Sequence, residues 1–322
     1  MKAIRVERTG GPEVMQLVDL PVPEPKANEA VVRVAAAGVN SIDAQFREGV
    51  FKTPVPFVPG QEGAGVVTAI GSGVKCVKVG DRVAWSGTLG SYAEYVVGLA
   101  ESKVPVPSSV SDEDAAAAML QGLTAHYLCH DAYKLKPGDT ALVHAAAGGV
   151  GLLVVQMAKS LGARVIGTVS SEEKASFARE AGADEVIVFT QTDFEAETKR
   201  LTGGKGVDVV YDGVGKATFA KGLNVLRSRG MLVLFGNSSG PVPPVDPVTL
   251  SEKGSLYMAR TTLAHFTATR DELVARSGDV FSMIASGSLK PKIAKTYPLG
   301  DAAQAHRDLG ARKLTGKLLL IP

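Results

Sequence analysis

Cysteine is almost missing from this chain: Cys76 and Cys129 are the only two among 322 residues. So few thiols exclude a disulfide-stapled secreted scaffold of this size. Neither sign of charge dominates, since 35 Lys and Arg face 33 Asp and Glu for a net charge of +2. Wrapping a phosphate backbone needs a concentrated basic excess, so nucleic acid is disfavoured as a partner. A long apolar run is also lacking. The longest, Ala141 to Ala158, is interrupted by His144, Gln156 and three glycines, and reads as strand, turn and helix instead of a membrane span. The N-terminus, Met1-Lys2-Ala3-Ile4-Arg5-Val6-Glu7-Arg8, has no signal-peptide core; its alternation suggests a strand with one buried face. A cytoplasmic protein is expected. There is no strand–turn–helix G-x-S-x-G elbow and no G-K-[ST] loop, which leaves hydrolase and phosphotransferase readings without their motifs.

What is present changes character along the chain. Up to about Leu120, strand candidates at Ala30–Ala36, Gly65–Ile70, Arg82–Trp85 and Ser91–Val97 are punctuated by glycine turns. That spacing suggests a small, barrel-like β domain. From about Gly122, strands at Thr140–His144, Arg164–Val169, Glu185–Phe189, Val207–Tyr211, Gly230–Phe235 and Ser255–Ala259 alternate with helices near Val150–Leu161, Phe194–Leu201 and Thr218–Leu226. Such alternation implies a doubly wound parallel sheet. The tail reads as a helix near Arg270–Ser286, a loop through Lys290-Pro291 and a last strand at Lys317–Ile321 that rejoins the first domain. The expected domains are therefore 1–121 completed by 266–322, and 122–265.

The strongest chemical signal is Thr140 to Gly151, a strand running into a glycine turn that opens a helix. Ala146, Gly148 and Gly151 take the three small positions of G-x-G-x-x-G. Gly148 would admit a pyrophosphate to the backbone, and Gly151 would let helix and strand pack closely. The amides of Gly149, Val150 and Gly151 at the helix start would face the anion. At the end of the second strand, Thr168-Val169-Ser170-Ser171-Glu172-Glu173-Lys174 places no acid at the tip, and Ser170 with Lys174 suits the 2′-phosphate of NADPH. Two alternatives stay open: Ser170 caps a helix with Glu173 three residues on while Lys174 is merely solvated, or Glu172 turns onto the ribose and favours NAD.

His126, Cys129 and His130 fall on one helical face, as a metal site would require, yet the surrounding Leu, Ala and Tyr favour packed side chains. His144 reads as a satisfied core residue, and His265 and His306 have no partner by spacing.

Together these residues make the chain similar to the quinone oxidoreductase (zeta-crystallin-like) branch of the medium-chain dehydrogenase/reductase superfamily. The resemblance rests on Gly38-Val39-Asn40-Ser41-Ile42-Asp43, Pro59 to Gly65, Gln121-Gly122-Leu123-Thr124, Ala145 to Gly151, Phe235 to Gly240 and Gly254 to Tyr257. It implies an α/β fold: a GroES-like β-barrel catalytic domain built from both chain ends, a Rossmann domain between them, and a homodimer joined through the Rossmann sheets. It further implies NADPH as cofactor and a small-molecule quinone as acceptor. By the family pattern Asn40, Asp43, Phe51 and Thr124 are catalytic. Asn40, Thr124, Thr261, Thr262 and Leu263 surround the nicotinamide; Gly236, Asn237 and Ser238 lie on the cofactor; Ser170 and Lys174 take the 2′-phosphate. Zinc-dependent relatives carry cysteine where this chain has Asn40, histidine where it has Gln61, and a four-cysteine lobe, so no metal is expected. Gln45, Phe51 and Phe189 stand where bacterial members often have tyrosine. A quinone becomes aromatic on accepting hydride, so little electrophilic activation is needed. Other readings are an NADPH-dependent reductase of α,β-unsaturated ketones or enals, and a non-catalytic crystallin-like binding protein.

Overall fold

Val, Ala and Gly crowd the early chain, and in the computed structural model, which describes residues 1–322, they form short strands ended by glycine turns. The chain divides into two compact units, Met1–Leu123 with Thr267–Pro322, and Thr124–Phe266. In the first, β1 (Lys2–Val6) pairs antiparallel with β2 (Met15–Asp19). Ala3, Ile4 and Val6 are all buried, so β1 does not show the single apolar face expected of it. The reason is that Ile4 and Val6 also bond to Tyr92 and Phe57, which cover the strand from elsewhere in the chain.

There follow β3 (Glu29–Val39), α1 (Ser41–Glu48), β4 (Glu62–Ile70), β5 (Arg82–Ser86), β6 (Tyr95–Leu99), β7 (Val104–Pro105) and α2 (Asp112–Ala118). β3 organises this unit. One edge pairs with β4, while its first part, Glu29–Arg33, pairs with β6 and its last, Ala37–Val39, with the C-terminal strand. The candidate strand Ser91–Val97 starts later than read, at Tyr95, because Tyr92 and Ala93 are engaged by β1.

α3 (Gln121–Tyr127) carries the chain into the second unit. Here β8 (Thr140–Val143), α4 (Gly149–Ser160), β9 (Arg164–Val169), α5 (Glu172–Glu180), β10 (Glu185–Val188), α6 (Phe194–Leu201), β11 (Val207–Asp212), α7 (Phe219–Asn224), β12 (Leu226–Leu234), α8 (Pro247–Glu252) and β13 (Tyr257–Arg260) alternate. The sheet is wholly parallel in the order β10-β9-β8-β11-β12-β13. The strand order reverses between β8 and β11, and a crevice outside the carboxyl ends is the binding place of such sheets. The core behind it is apolar, with Leu142, Ile166, Val210 and Leu232 fully buried.

The tail returns to the first unit as α9 (Arg270–Ala285), β14 (Ile293–Pro298), α10 (Ala302–Ala311) and β15 (Lys317–Ile321), with β15 antiparallel to β3. β2, β7, β14, α1, α2, α8 and α10 are not among the elements expected from the sequence. β14 is an edge strand whose Lys295 and Thr296 are exposed, so it carries no apolar period. α1 is held by its ends: the Asp43 carboxylate accepts from the Asn40 N–H at 2.9 Å, and Gly49 closes the helix at φ 81°.

Lys103 is buried with no carboxylate beside it. Its Nζ donates to Thr88 Oγ1 at 3.0 Å and Ser102 Oγ at 3.3 Å, and lies 4.9 Å from the centre of the Trp85 ring. Burial pushes its pKa down to about 7, whereas the unfolded chain holds the proton up to about 10.4. Between these values the unfolded state binds more protons, so this group's contribution makes stability rise with pH there and leaves it flat below. Thermal melts of wild type and Lys103→Met across pH 7–10 check this. The wild-type Tm should gain on the variant as pH rises; a constant gap would mean that the ammonium stays charged.

Candidate functional site

Two groups of polar side chains come together, one in each unit. In the second unit, the carboxyl ends of β8, β9, β11 and β12 form a glycine-lined cradle. α4 starts at Gly149 behind Gly148, an N-cap residue that offers no side-chain acceptor to the first amides. A Cβ on Gly151 would lie 2.2 Å from the Ala145 carbonyl oxygen, whereas one on Gly148 would lie 3.1 Å from it. Gly151 is thus required by packing, and Gly148 leaves backbone open to an approaching anion. The left-handed residue of the turn is Ala145, at φ 52°, one position before the small residue assigned to the first glycine place.

Across the sheet, the turns after β11 and β12 pack back to back. Ser238 N–H donates to Gly213 O, and a Cβ on Gly236 would come within 2.5 Å of that same oxygen. Asn237 and Ser238 are exposed there. Residues 236–240 also spell G-x-S-x-G, but the next helix starts only at Pro247, so Ser238 sits on no nucleophile elbow. Asp212 Oδ1 accepts from the amides of Val214 and Gly215, fixing the β11 turn. His144, beside it, bonds through Nδ1 to Thr168 Oγ1 at 2.9 Å, but its Nε2 is buried without a partner. It is therefore only half satisfied, and burial, opposed by Asp212, lowers its pKa to about 4.

At the tip of β9 the helix cap is Ser171, not Ser170: Ser171 Oγ accepts from the Lys174 N–H at 3.3 Å. The expected pairing of Ser170 with Glu173 does not form, because the helix starts one residue later. Ser170 and Lys174 are half-buried, and Phe189 at the end of β10 exposes its ring. Glu172 faces Arg179 at 3.6 Å. Thr124 is buried in α3. The Tyr127 hydroxyl of that helix lies 3.1 Å from Thr261 Oγ1, which brings Thr261 to the helix carrying Thr124. Thr262 is exposed and Leu263 opens a single 3-10 turn. The His126 and His130 rings stack at 4.3 Å and the Cys129 thiol bonds to Tyr211, so the three donors do not converge. No cluster of His, Cys, Asp and Glu is placed to hold a metal ion.

In the first unit, Asn40 and Asp43 are buried within a continuous polar network. Asn40 Nδ2 donates to Glu62 Oε2 at 2.8 Å, and its Oδ1 accepts from Lys317 Nζ at 2.7 Å. Lys317 also pairs with Glu62 Oε2. On the other side, Arg47 Nη1 meets His306 Nδ1 at 2.8 Å, His306 Nε2 meets the Tyr92 hydroxyl at 3.0 Å, and that hydroxyl donates to Asp43 Oδ2 at 3.1 Å. The guanidinium only donates, so Nδ1 must accept and the ring proton sits on Nε2. Every bond then points toward Asp43. His306 stays neutral, its pKa lowered to about 3 by burial and by Arg47. Burial pushes Asp43 up to about 7 against the pull of the Asn40 amide and Lys317, and its Oδ1 has no partner.

His306 thus has partners that spacing could not reveal. Glu62 and Gly38 stood inside motifs already noted, but Lys317, Tyr92 and Arg47 gave no local signal. Phe51 lies apart from this network. Its ring is exposed, tilts against Phe46 at 5.2 Å, and helps line a groove of about 460 Å³ with Thr9, Glu48, Gly49, Lys52, Thr53 and Pro54.

Comparison with known proteins agrees with both units. The family described as "Alcohol dehydrogenase GroES-like domain" matches residues 26–108, and that described as "Zinc-binding dehydrogenase" matches residues 149–276. Quinone oxidoreductase 1 of Escherichia coli is 45% identical over 99% of this chain and 100% of its own. A 2-haloacrylate reductase from Burkholderia is 41% identical over 98% of each chain. The structure of an Escherichia coli quinone oxidoreductase complexed with NADPH superposes with a TM-score of 0.97 at 44% identity, covering 100% of both chains.

The two cradle glycines should separate in their effects. Gly151→Ala forces the turn apart and should lower Tm, by roughly 2–4 °C for each kcal/mol lost. Gly148→Val should lose less than Gly151→Ala, since its Cβ meets the Ala145 carbonyl oxygen at 3.1 Å and a shift of a few tenths of an ångström relieves the contact. Thermal melts of both variants check this, and equal losses would mean that the turn does not have the packing described.

Proposed function

Because this chain belongs to the quinone oxidoreductase family, we propose that it transfers hydride from NADPH to a quinone. The observation that carries the cofactor choice is the tip of β9. No acid stands there to repel a 2′-phosphate, Glu172 is turned toward Arg179, and Ser170 is released from capping by Ser171. The residues fit the dinucleotide: the uncapped start of α4 at Gly148, Gly149, Val150 and Gly151 suits its pyrophosphate. Gly236, Asn237 and Ser238 lie on the adjacent turn, and Thr124 with Thr261, Thr262 and Leu263 would hold the nicotinamide end. When bound, the cofactor supplies the hydride. The protein's part is to hold the acceptor about 3–3.5 Å away in a dry site.

On the acceptor side we assign Asn40, Asp43 and Phe51. Asn40 and Asp43 act as a fixed wall: the Asn40 side chain is spent on Glu62 and Lys317, and Asp43 Oδ2 is held by the Asn40 N–H and the Tyr92 hydroxyl, which leaves Oδ1 as the one free oxygen. Phe51 offers an exposed ring for stacking. A buried ammonium, Lys317, touches Asn40 at the position corresponding to a zinc ligand in metal-dependent relatives, and it would repel a dication; the purified protein should hold no stoichiometric zinc and keep its activity in chelator. A second acceptor class, activated alkenes, is favoured by the similarity to a 2-haloacrylate reductase. A homodimer is supported by β13, an edge strand that exposes Tyr257 and Met258. We place the protein in the cytoplasm; no helix is long and apolar enough to cross a membrane.

Loss of absorbance at 340 nm with NADPH and a panel of quinones and enones tests the reading; no turnover with any of them would overturn it. Cofactor choice is tested by Lys174→Ala. A charge-assisted hydrogen bond is worth about 1.5–3 kcal/mol, so kcat/KM for NADPH should fall roughly 10- to 150-fold while NADH is unchanged. Equal losses for both cofactors, or a wild type that prefers NADH, would remove the phosphate role from Lys174.

A further inference from the structure

A buried ion pair such as Lys317–Glu62 contributes little net stability by itself, because desolvation offsets the attraction. The chain nevertheless clears room for it. A Cβ on Gly38 would come 2.2 Å from Glu62 Oε2 and 2.8 Å from Lys317 Cε. Gly316, at φ 117°, has no room for a Cβ against the Lys292 carbonyl, and the Lys317 N–H bonds to that carbonyl at 2.7 Å. This sets the register in which Lys317 points inward. The other Glu62 oxygen, Oε1, accepts from the Leu120 amide, so the carboxylate is held at both ends.

What the pair grips is the Asn40 amide. An ammonium only donates and a carboxylate only accepts, so Oδ1 must face Lys317 and Nδ2 must face Glu62. The amide has one permitted orientation. Asn40 stands at the N-cap position of α1, where its backbone N–H donates to Asp43, and Gly49 at the far end of α1 opens the groove lined by Phe51.

We propose that Lys317, acting with Glu62, is a positioning residue that orients Asn40 and, through it, the start of α1 at the acceptor side. The inference rests on the hydride-transfer reading above. It makes the last strand of the chain part of the reaction's geometry without touching the substrate.

The test compares Lys317→Met, the double variant Glu62→Leu/Lys317→Met, and Gly38→Ala, which keeps both charges but takes their space. Each is measured for Tm, NADPH affinity by titration, and kcat and KM with a quinone that the wild type reduces. Lys317→Met should lower both Tm and kcat, because it strands the carboxylate. The double variant should recover part of the lost Tm, since no carboxylate is stranded, while kcat stays depressed, by up to about 100-fold, the effect of small misplacement from outside the site. Gly38→Ala should also lower kcat, and NADPH affinity should hold in all three. Recovery of kcat together with Tm in the double variant, or wild-type kcat in Gly38→Ala, would overturn the proposal. Asn40→Leu with undiminished kcat would overturn it as well, by removing Asn40 from the acceptor side. A wild type that reduces no quinone would instead sink the functional reading, which the assay shows before any variant is made.

Discussion

An ammonium and a carboxylate shut away from water, Lys317 against Glu62, hold the centre of the first unit. Burying either ion alone costs on the order of several kcal/mol, so neither is tolerable without the other. Their mutual satisfaction fixes Asn40, the Asn40 amide nitrogen fixes Asp43, and Asp43 receives the Tyr92 hydroxyl. Three chain segments far apart in sequence are tied to one short turn. The glycines around the pair follow from the same requirement, since any side chain at Gly38 would enter the space that the charges occupy.

The opposite arm has a built-in direction. Arg47 can only give protons, which leaves His306 one tautomer, Tyr92 one orientation and Asp43 the role of terminal acceptor. A network ordered in this way cannot pass a proton through to Arg47. It behaves as a rigid support for Asp43. The second unit works by different means. Its cradle offers backbone amides and glycines, so recognition of an anion there depends on the absence of side chains more than on their presence.

Much of the second unit was legible in the sequence because its signals are local. A strand, a glycine turn and the start of a helix occupy twelve successive residues at Thr140–Gly151, and the parallel sheet repeats the alternation of strand and helix. Phe194–Leu201 has local signals at its start, where Asp193 caps it, and along one buried face, where Phe194 and Thr198 stand one turn apart. Errors fell at boundaries where one hydrogen bond decides, as when Ser171 took the cap in place of Ser170. In the first unit, α1 stayed hidden because it is held by its end groups and buries little apolar surface.

Sequence alone determined the element alternation, the glycine positions and the missing acid after the second strand, for these are properties of neighbours along the chain. Only tertiary structure decided that Lys317 meets Glu62 across 255 positions and that His306 lies between Arg47 and Tyr92. Nothing in the spacing of such residues marks them as partners. Pairing of β15 with β3 brings Lys317 to Asn40, and an interior without water then requires each donor to find an acceptor.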